Sequence, residues 1–224
     1  MTTKTIVFDF GGVLFRTSTE EFYRDLFRKQ GRSEEELRHF LDNIFINAEL
    51  SLANSGNARD FIEEKAARHP EWEGEIRAFT AGSENLKWIR NVIPGMKEVL
   101  GELTRKGYRV VGLTNWHGDI YDALPEAFPE ILGHLSQVVV SGKVGMRKPD
   151  PAIFRHAHEA FGSPDASDVY YFDDKPRNTE TAQKTVGWNA FVFKNADTVR
   201  QALAMTEEAP APSPSLPALT PKPF

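Results

Sequence analysis

Four positions in the 224-residue sequence place chemically able side chains at the ends of short apolar runs. The run "TIVFDF" (5–10) ends around Asp9, "YRVVGLT" (108–114) ends in Thr114 and is followed by Asn115, "QVVVS" (137–141) leads on to Lys148, and "VYYFDD" (169–174) ends in Asp173 and Asp174. Taken singly, each has a plain structural reading: Asp9 or Asp173 as a cap, Thr114 and Asn115 as loop residues, Lys148 as a solvated charge. Together they offer a carboxylate, a hydroxyl with an amide, an ammonium and paired carboxylates. That set suits a metal-assisted site for an anion, because ligands of open parallel sheets bind beyond the carboxyl ends of the strands.

The runs must be carried by a sheet that brings their ends together. Each is short, rich in Val, Ile, Phe or Tyr, and does not alternate, as expected of strands covered on both faces. "NAFVF" (189–193) is a fifth. Amphipathic stretches at 94–107, 150–162 and 175–187 separate them, with Gly107, Gly162 and Gly187 where helix C-terminal glycines belong. Alternation of this kind predicts an α/β fold, a doubly wound parallel sheet. Residues 17–91 break the pattern and read as three or four helices (18–31, 33–50, 57–70 and 71–82), with Ser18 and Ser33 as N-caps before acidic first turns and Gly31 after the first helix. The expected organisation is a core domain from 1–16 and 92–206, a helical domain from 17–91, and a tail from 207–224. That tail holds six of the 14 prolines and no apolar periodicity, so it is expected to be disordered.

Composition narrows the function. A net charge of −5 and a pI near 5.7 provide no basic footprint for nucleic acid or an anionic membrane, leaving small-molecule chemistry as the expectation. The absence of cysteine excludes disulfides, thiolate metal sites and a cysteine nucleophile. No run approaches a membrane span and the N-terminus enters a strand directly, which points to the cytoplasm.

The ordered set "FDFGGVLF", "GLTNW", "GMRKPDPAIF" and "YYFDDKPRN" resembles the four motifs of the haloacid dehalogenase superfamily, over residues 5–15 and 92–195, with the helical segment where that family inserts its α-helical cap into a Rossmann-like core. In character the chain is similar to glucose-1-phosphate phosphatases and to the N-terminal phosphatase domain of soluble epoxide hydrolases. The resemblance implies that Asp9 is a nucleophile forming an aspartyl-phosphate, which splits one hard hydrolysis into two easier steps. Thr114, Asn115 and Lys148 would hold and neutralise the phosphoryl oxygens. It further implies Mg²⁺ held by Asp9, the Gly11 carbonyl and Asp174, with Asp173 behind them or ligating through water. Adjacent residues on an extended backbone point to opposite sides, so only one of the two acids is expected to reach the metal directly.

Gly11 and Gly12 are expected to let the backbone turn sharply beside the phosphate. Gly11 also marks a departure, since most phosphatases of this superfamily carry a second Asp there as general acid and base. Such help is worth about 10² to 10⁴ in rate. A good leaving group such as the anomeric oxygen of a sugar 1-phosphate, or a substitute such as His117, would answer its loss; a weak or inactive relative is the third alternative. Trp116 is the aromatic residue expected against the substrate. Arg16 is either a substrate contact or a surface charge, and the aromatic residues Phe22, Tyr23, Phe27, Phe40 and Phe45 read as the core of the helical segment. The expected function is a Mg²⁺-dependent phosphatase of a small phosphorylated metabolite, as a monomer or dimer. The alternatives are a metal-independent 2-haloacid dehalogenase, which the paired acids disfavour, and a metabolite- or partner-binding protein that keeps the fold.

Overall fold

The structure, a computed structural model, describes residues 3–45, 58–79 and 86–204. All five expected strands form one parallel sheet: β1 (Thr5–Phe8), β4 (Arg109–Thr114), β5 (Gln137–Val140), β6 (Val169–Asp173) and β7 (Asn189–Val192), in the order β5-β4-β1-β6-β7. β1 lies at the centre, with Phe8 level with Gly112 of β4 and with Phe172 of β6. The chain builds outward from β1 on one side through β4 and β5, then crosses back to β6. The reversal of strand order therefore falls at β1, the position where open sheets hold ligands.

The burial of both faces explains the unbroken apolar runs. Ile6 and Phe8 enter one core with Val99, Leu103 and Ile120, whereas Val7, Val111 and Tyr171 enter the other with Phe154 and Trp188. Successive strand residues thus feed opposite layers. The helices Met96–Arg105, Pro151–Ala160 and Pro176–Val186 lie within the expected stretches, and Gly107, Gly162 and Gly187 follow them with φ of 73°, 82° and 73°. The helix Gly118–Ala127, absent from the expectation, fills the connection from β4 to β5. No helix among the described residues is long and apolar enough to cross a membrane.

The segment 17–91 contains the expected helices in shortened form. Thr19–Lys29 starts at Ser18, whose hydroxyl accepts from the Glu21 N–H, and Glu34–His39 starts in a Ser33–Glu36 capping box before passing into a π-helical turn at Phe40–Ile44. Ala58–Arg68 and Glu73–Ala78 follow, and the expected ends at 46–50, 57 and 80–82 lie outside the described residues, as does the tail. Phe22, Tyr23, Phe27, Phe40 and Phe45 are all buried against one another, which makes them the core expected of this segment. One correction concerns the ends of this segment. Strands β2 (Phe15–Thr17) and β3 (Ile89–Val92) pair antiparallel where no strand was expected, tying the two crossings between helical segment and core into one ribbon.

The loop after β1 is seated by Phe10. Its carbonyl accepts the N–H groups of Leu14 and Phe15, both at 2.9 Å, and its ring lies against Gly112, where a β-carbon would meet it at 2.7 Å. Gly112→Ala is expected to destabilise the protein by about 1–3 kcal/mol through overpacking. A denaturant melt within about 0.5 kcal/mol of the parent would contradict this seating, since only substitutions clear of packed features are that mild.

Candidate active site

The strand ends converge on Lys148. Its side chain is 1% exposed, and its ammonium lies 2.8 Å from Asp9 Oδ1 and 2.7 Å from Asp173 Oδ2, while donating to the Leu113 carbonyl at 2.9 Å. Lys148 therefore bridges two carboxylates from β1 and β6 and the backbone of β4. Its own loop is held by Asn115, whose side chain accepts from the Lys148 N–H at 2.8 Å and donates to the Lys148 carbonyl at 2.9 Å. The Asn115 amide is thus committed to placing Lys148, and a phosphate contact from this residue falls to its backbone.

The two adjacent acids divide as strand geometry requires. Asp173 is fully buried: Oδ2 accepts from Lys148, from the Tyr171 hydroxyl and from Asn178, and Oδ1 accepts from Asn178 and the Lys175 N–H. Tyr171 reaches it because residues two apart on a strand share a face. Asp174 turns the other way, toward Gly12. Its Oδ1 is buried with no hydrogen-bond partner among the described residues, and its Oδ2 lies 2.8 Å from where a Gly12 β-carbon would stand. Gly12 also has φ 77°, so a side chain there would be both strained and in collision with Asp174.

Gly11 differs, and the expectation that both glycines serve the turn is corrected. Its φ is not in the left-handed region, and an added β-carbon would meet nothing closer than Trp116 Nε1 at 3.6 Å. Neither backbone nor packing demands glycine at position 11.

The electrostatics follow from burial and pairing. Burial works against charge on Lys148, but the Asp173 and Asp9 carboxylates outweigh it and hold the ammonium above the ordinary lysine value. For Asp173 burial is likewise overcome, by the Lys148 charge and the converging donors, and its pKa falls below the usual carboxylate range. Asp9 has fewer donors: burial, aided by the Asp173 charge and opposed by Lys148, pushes it up to about 7. Asp174 is raised by burial and by the neighbouring Asp173.

Asp9, Asp173 and Asp174 each offer an oxygen, all within 4.8 Å of one another. With Asp173 saturated by donors, Asp9 and Asp174 are the two carboxylates with acceptor capacity left for a cation. The orphaned Asp174 oxygen fits a hard, oxygen-seeking ion, which satisfies it without a proton.

Thr114, at the end of β4, is buried, and its hydroxyl accepts from the Trp116 N–H at 3.3 Å. Trp116 packs its indole between Phe10, Phe15 and Trp88. His117 stands at the N-cap position of the next helix without a side-chain capping bond; both ring nitrogens are buried with no hydrogen-bond partner among the described residues, and burial lowers its pKa. Arg16 is bound to Glu21 at 2.6 Å and to Asn91 at 2.9 Å, which makes it a clamp across the β2–β3 ribbon. Sequence reasoning missed Tyr171 and Asn178, which donate to Asp173; the alternation Tyr171–Asp173 within β6 was the available signal for the first.

An open parallel sheet with an acid-and-lysine cluster at the strand-order reversal defines a hydrolase of the haloacid dehalogenase type. The chain belongs to the haloacid dehalogenase-like hydrolases, matching that family over residues 3–184. Its fold is similar to that of a haloacid dehalogenase family enzyme from Bacteroides thetaiotaomicron (TM-score 0.65, 22% identity, 91% of this chain and 99% of that one). It is also similar to a HAD-like hydrolase from Porphyromonas gingivalis (TM-score 0.64, 22% identity, 91% and 97%). Drimenol cyclase drtB of Aspergillus calidoustus shares 35% identity over 75 residues, which span 34% of this chain and only 14% of that protein.

Replacing Lys148 with Met leaves Asp9 and Asp173 facing each other without a cation. Loss of one partner of a buried pair costs about 3–5 kcal/mol, the expected destabilisation at pH 8 in chelator-treated buffer. Asp9 in the folded protein already binds its proton more tightly than in the unfolded chain, so the cost of ionising it vanishes as pH falls through 7 toward the ordinary carboxylate range. Urea melts should accordingly show a smaller penalty at pH 5; an equal or larger one would refute the assignment.

Proposed function

We propose that this hydrolase is a Mg²⁺-dependent phosphatase acting on a small phosphorylated metabolite, preferably a sugar phosphate, through an aspartyl-phosphate on Asp9. The observation that carries the reading is the division of labour among the acids: Asp173 is consumed in holding Lys148, Asp9 is held by Lys148 through Oδ1, and Asp174 keeps a buried oxygen with no partner. A dehalogenase working without metal has no use for that oxygen. Supporting it, the Bacteroides fold relative has been crystallised with magnesium and inorganic phosphate (TM-score 0.62, 19% identity).

Asp9, Asp174 and the Gly11 carbonyl would hold the ion. Bound there, Mg²⁺ supplies charge neutralisation for the phosphoryl oxygens. The remaining work belongs to the protein. Lys148 fixes Asp9 by Oδ1, leaving Oδ2 to attack phosphorus, and its charge offsets that of the incoming dianion. The Thr114 hydroxyl and the Asn115 backbone N–H take phosphoryl oxygens. The ester C–O–P bond breaks at oxygen–phosphorus as the Asp9–phosphorus bond forms. Water then cleaves the aspartyl-phosphate, and its two protons end on the alcohol and on inorganic phosphate. With no acid at position 11 and the His117 ring nitrogens buried without a partner among the described residues, the leaving oxygen is one that departs with little protonation, as the anomeric oxygen of a sugar 1-phosphate does. Residues 17–91 serve as a cap that excludes water and selects the alcohol.

A phosphate-release screen over sugar and nucleotide monophosphates tests this. Wild type should release phosphate with Mg²⁺ and not with EDTA, and Asp9→Asn should lose about 10⁴-fold or more in kcat, as removal of a nucleophile does. Metal-independent turnover, or an unaffected Asp9→Asn, rejects the mechanism; chloride release from a 2-haloacid in its place supports the dehalogenase.

A further inference from the structure

A pocket of about 250 Å³ opens between the helical segment and the ribbon that joins it to the core. One wall is a single face of the helix Thr19–Lys29, where Phe22, Asp25, Leu26 and Lys29 recur three and four residues apart and so stand over one another. The opposite wall is Lys87 with the first two residues of β3, Ile89 and Arg90. None of these belongs to the acid-and-lysine cluster. Trp88, between Lys87 and Ile89 in the chain, turns to Trp116 at 5.0 Å and to Phe79 at 5.9 Å, and Phe79 in turn meets Phe22 at 6.0 Å. The rings of Phe22, Phe79 and Trp88 thus stand in series from the pocket wall to Trp116.

The lining divides by character. Phe22 and Ile89 are buried and, with the partly buried Leu26, make an apolar floor. Arg90 is spent within the protein: it pairs with Asp25 at 2.7 Å and with Glu21 at 3.2 Å, and donates to the Lys87 carbonyl at 3.4 Å. The same contact offsets the charge of Asp25. Two exposed ammonium groups remain at the rim, Lys29 and Lys87, and Lys29 has no ion-pair or hydrogen-bond partner among the described residues. An apolar floor under a cationic rim fits an occupant with an apolar body and a negative charge. One charge suits it better than two, because Asp25 stands in the same wall. The volume falls short of the roughly 300–1,000 Å³ of sites for drug-sized ligands, so the body must be compact.

We infer that this pocket binds a small organic monoanion, an aromatic or branched carboxylate, whose charge is met by Lys29 and Lys87 and whose apolar body rests on Phe22, Leu26 and Ile89. The site has its own residues and stands whatever ester the enzyme hydrolyses. Because its walls are the first helix of the helical segment and β3 of the ribbon, an occupant touches both and bridges them.

Benzoate is the probe, titrated into the isotope-labelled full chain while backbone amide shifts are followed by NMR. Saturable shifts are expected at Leu26, Lys29, Ile89 and Arg90. Benzamide, which keeps the ring without the charge, and acetate, which keeps the charge without the ring, should each bind at least about tenfold more weakly. Exposed charge pairs are individually weak, so Lys29→Gln and Lys87→Gln should each weaken benzoate by about threefold and the double variant by about tenfold. Both side chains are exposed, which leaves the fold intact in these variants. Shifts that do not saturate, benzamide or acetate binding as tightly as benzoate, or a double variant within about twofold of the parent would overturn the inference. So would shifts centred on Asp9, Gly12 and Lys148, which put the carboxylate in the catalytic site.

Discussion

The site depends on one buried ammonium shared by two carboxylates. Lys148 has nowhere to place its charge except between Asp9 and Asp173, and the strands that carry those acids are neighbours in the sheet. A single buried carboxylate beside a single lysine would be a marginal arrangement, since desolvation of both ions offsets much of their attraction. The structure answers with further donors. Tyr171, Asn178 and the Lys175 N–H complete Asp173, and the Leu113 carbonyl completes Lys148. Of the three clustered acids, Asp9 and Asp174 are left with oxygens to spare.

Around that centre, the chain separates structural from reactive duties by strand parity. Tyr171 and Asp173 of β6 face the lysine, and Asp174, one residue on, faces the loop after β1. Asn115 acts on a second level, gripping the backbone of Lys148 by both its N–H and its carbonyl. Positioning is thus delegated to residues that need not touch a substrate, which keeps the reacting atoms within narrow limits.

Much of this was legible in the sequence. Unbroken apolar runs announced a doubly covered sheet, and the residues at their ends announced the site, because a parallel sheet brings all its carboxyl ends to one edge. What escaped had physical reasons. β2 and β3, "FRT" and "IRNV", are too short and too polar to show a pattern; they are strands because they pair across the 71 residues between Thr17 and Ile89, and pairing is invisible to local reading. The Asn115 side chain looked as available to a phosphate as its backbone N–H, because sequence reports a donor and not its partner; the amide is occupied by the Lys148 backbone. The two glycines looked alike in sequence and differ in space. His117, close to the motif, is turned into a dry packing position that no spacing rule foretells.

The contact between Gly12 and Asp174 reaches beyond this chain. The carboxylate sits where any β-carbon at position 12 would intrude, so the two positions cannot drift separately under selection. A descendant that gained alanine at 12 would first have to surrender or displace the acid at 174, and with it the oxygen that we propose holds the cation. Position 11, where an added β-carbon would make only ordinary contacts, carries no such tie, so of two neighbouring glycines one answers to an acid more than 160 residues away and the other does not.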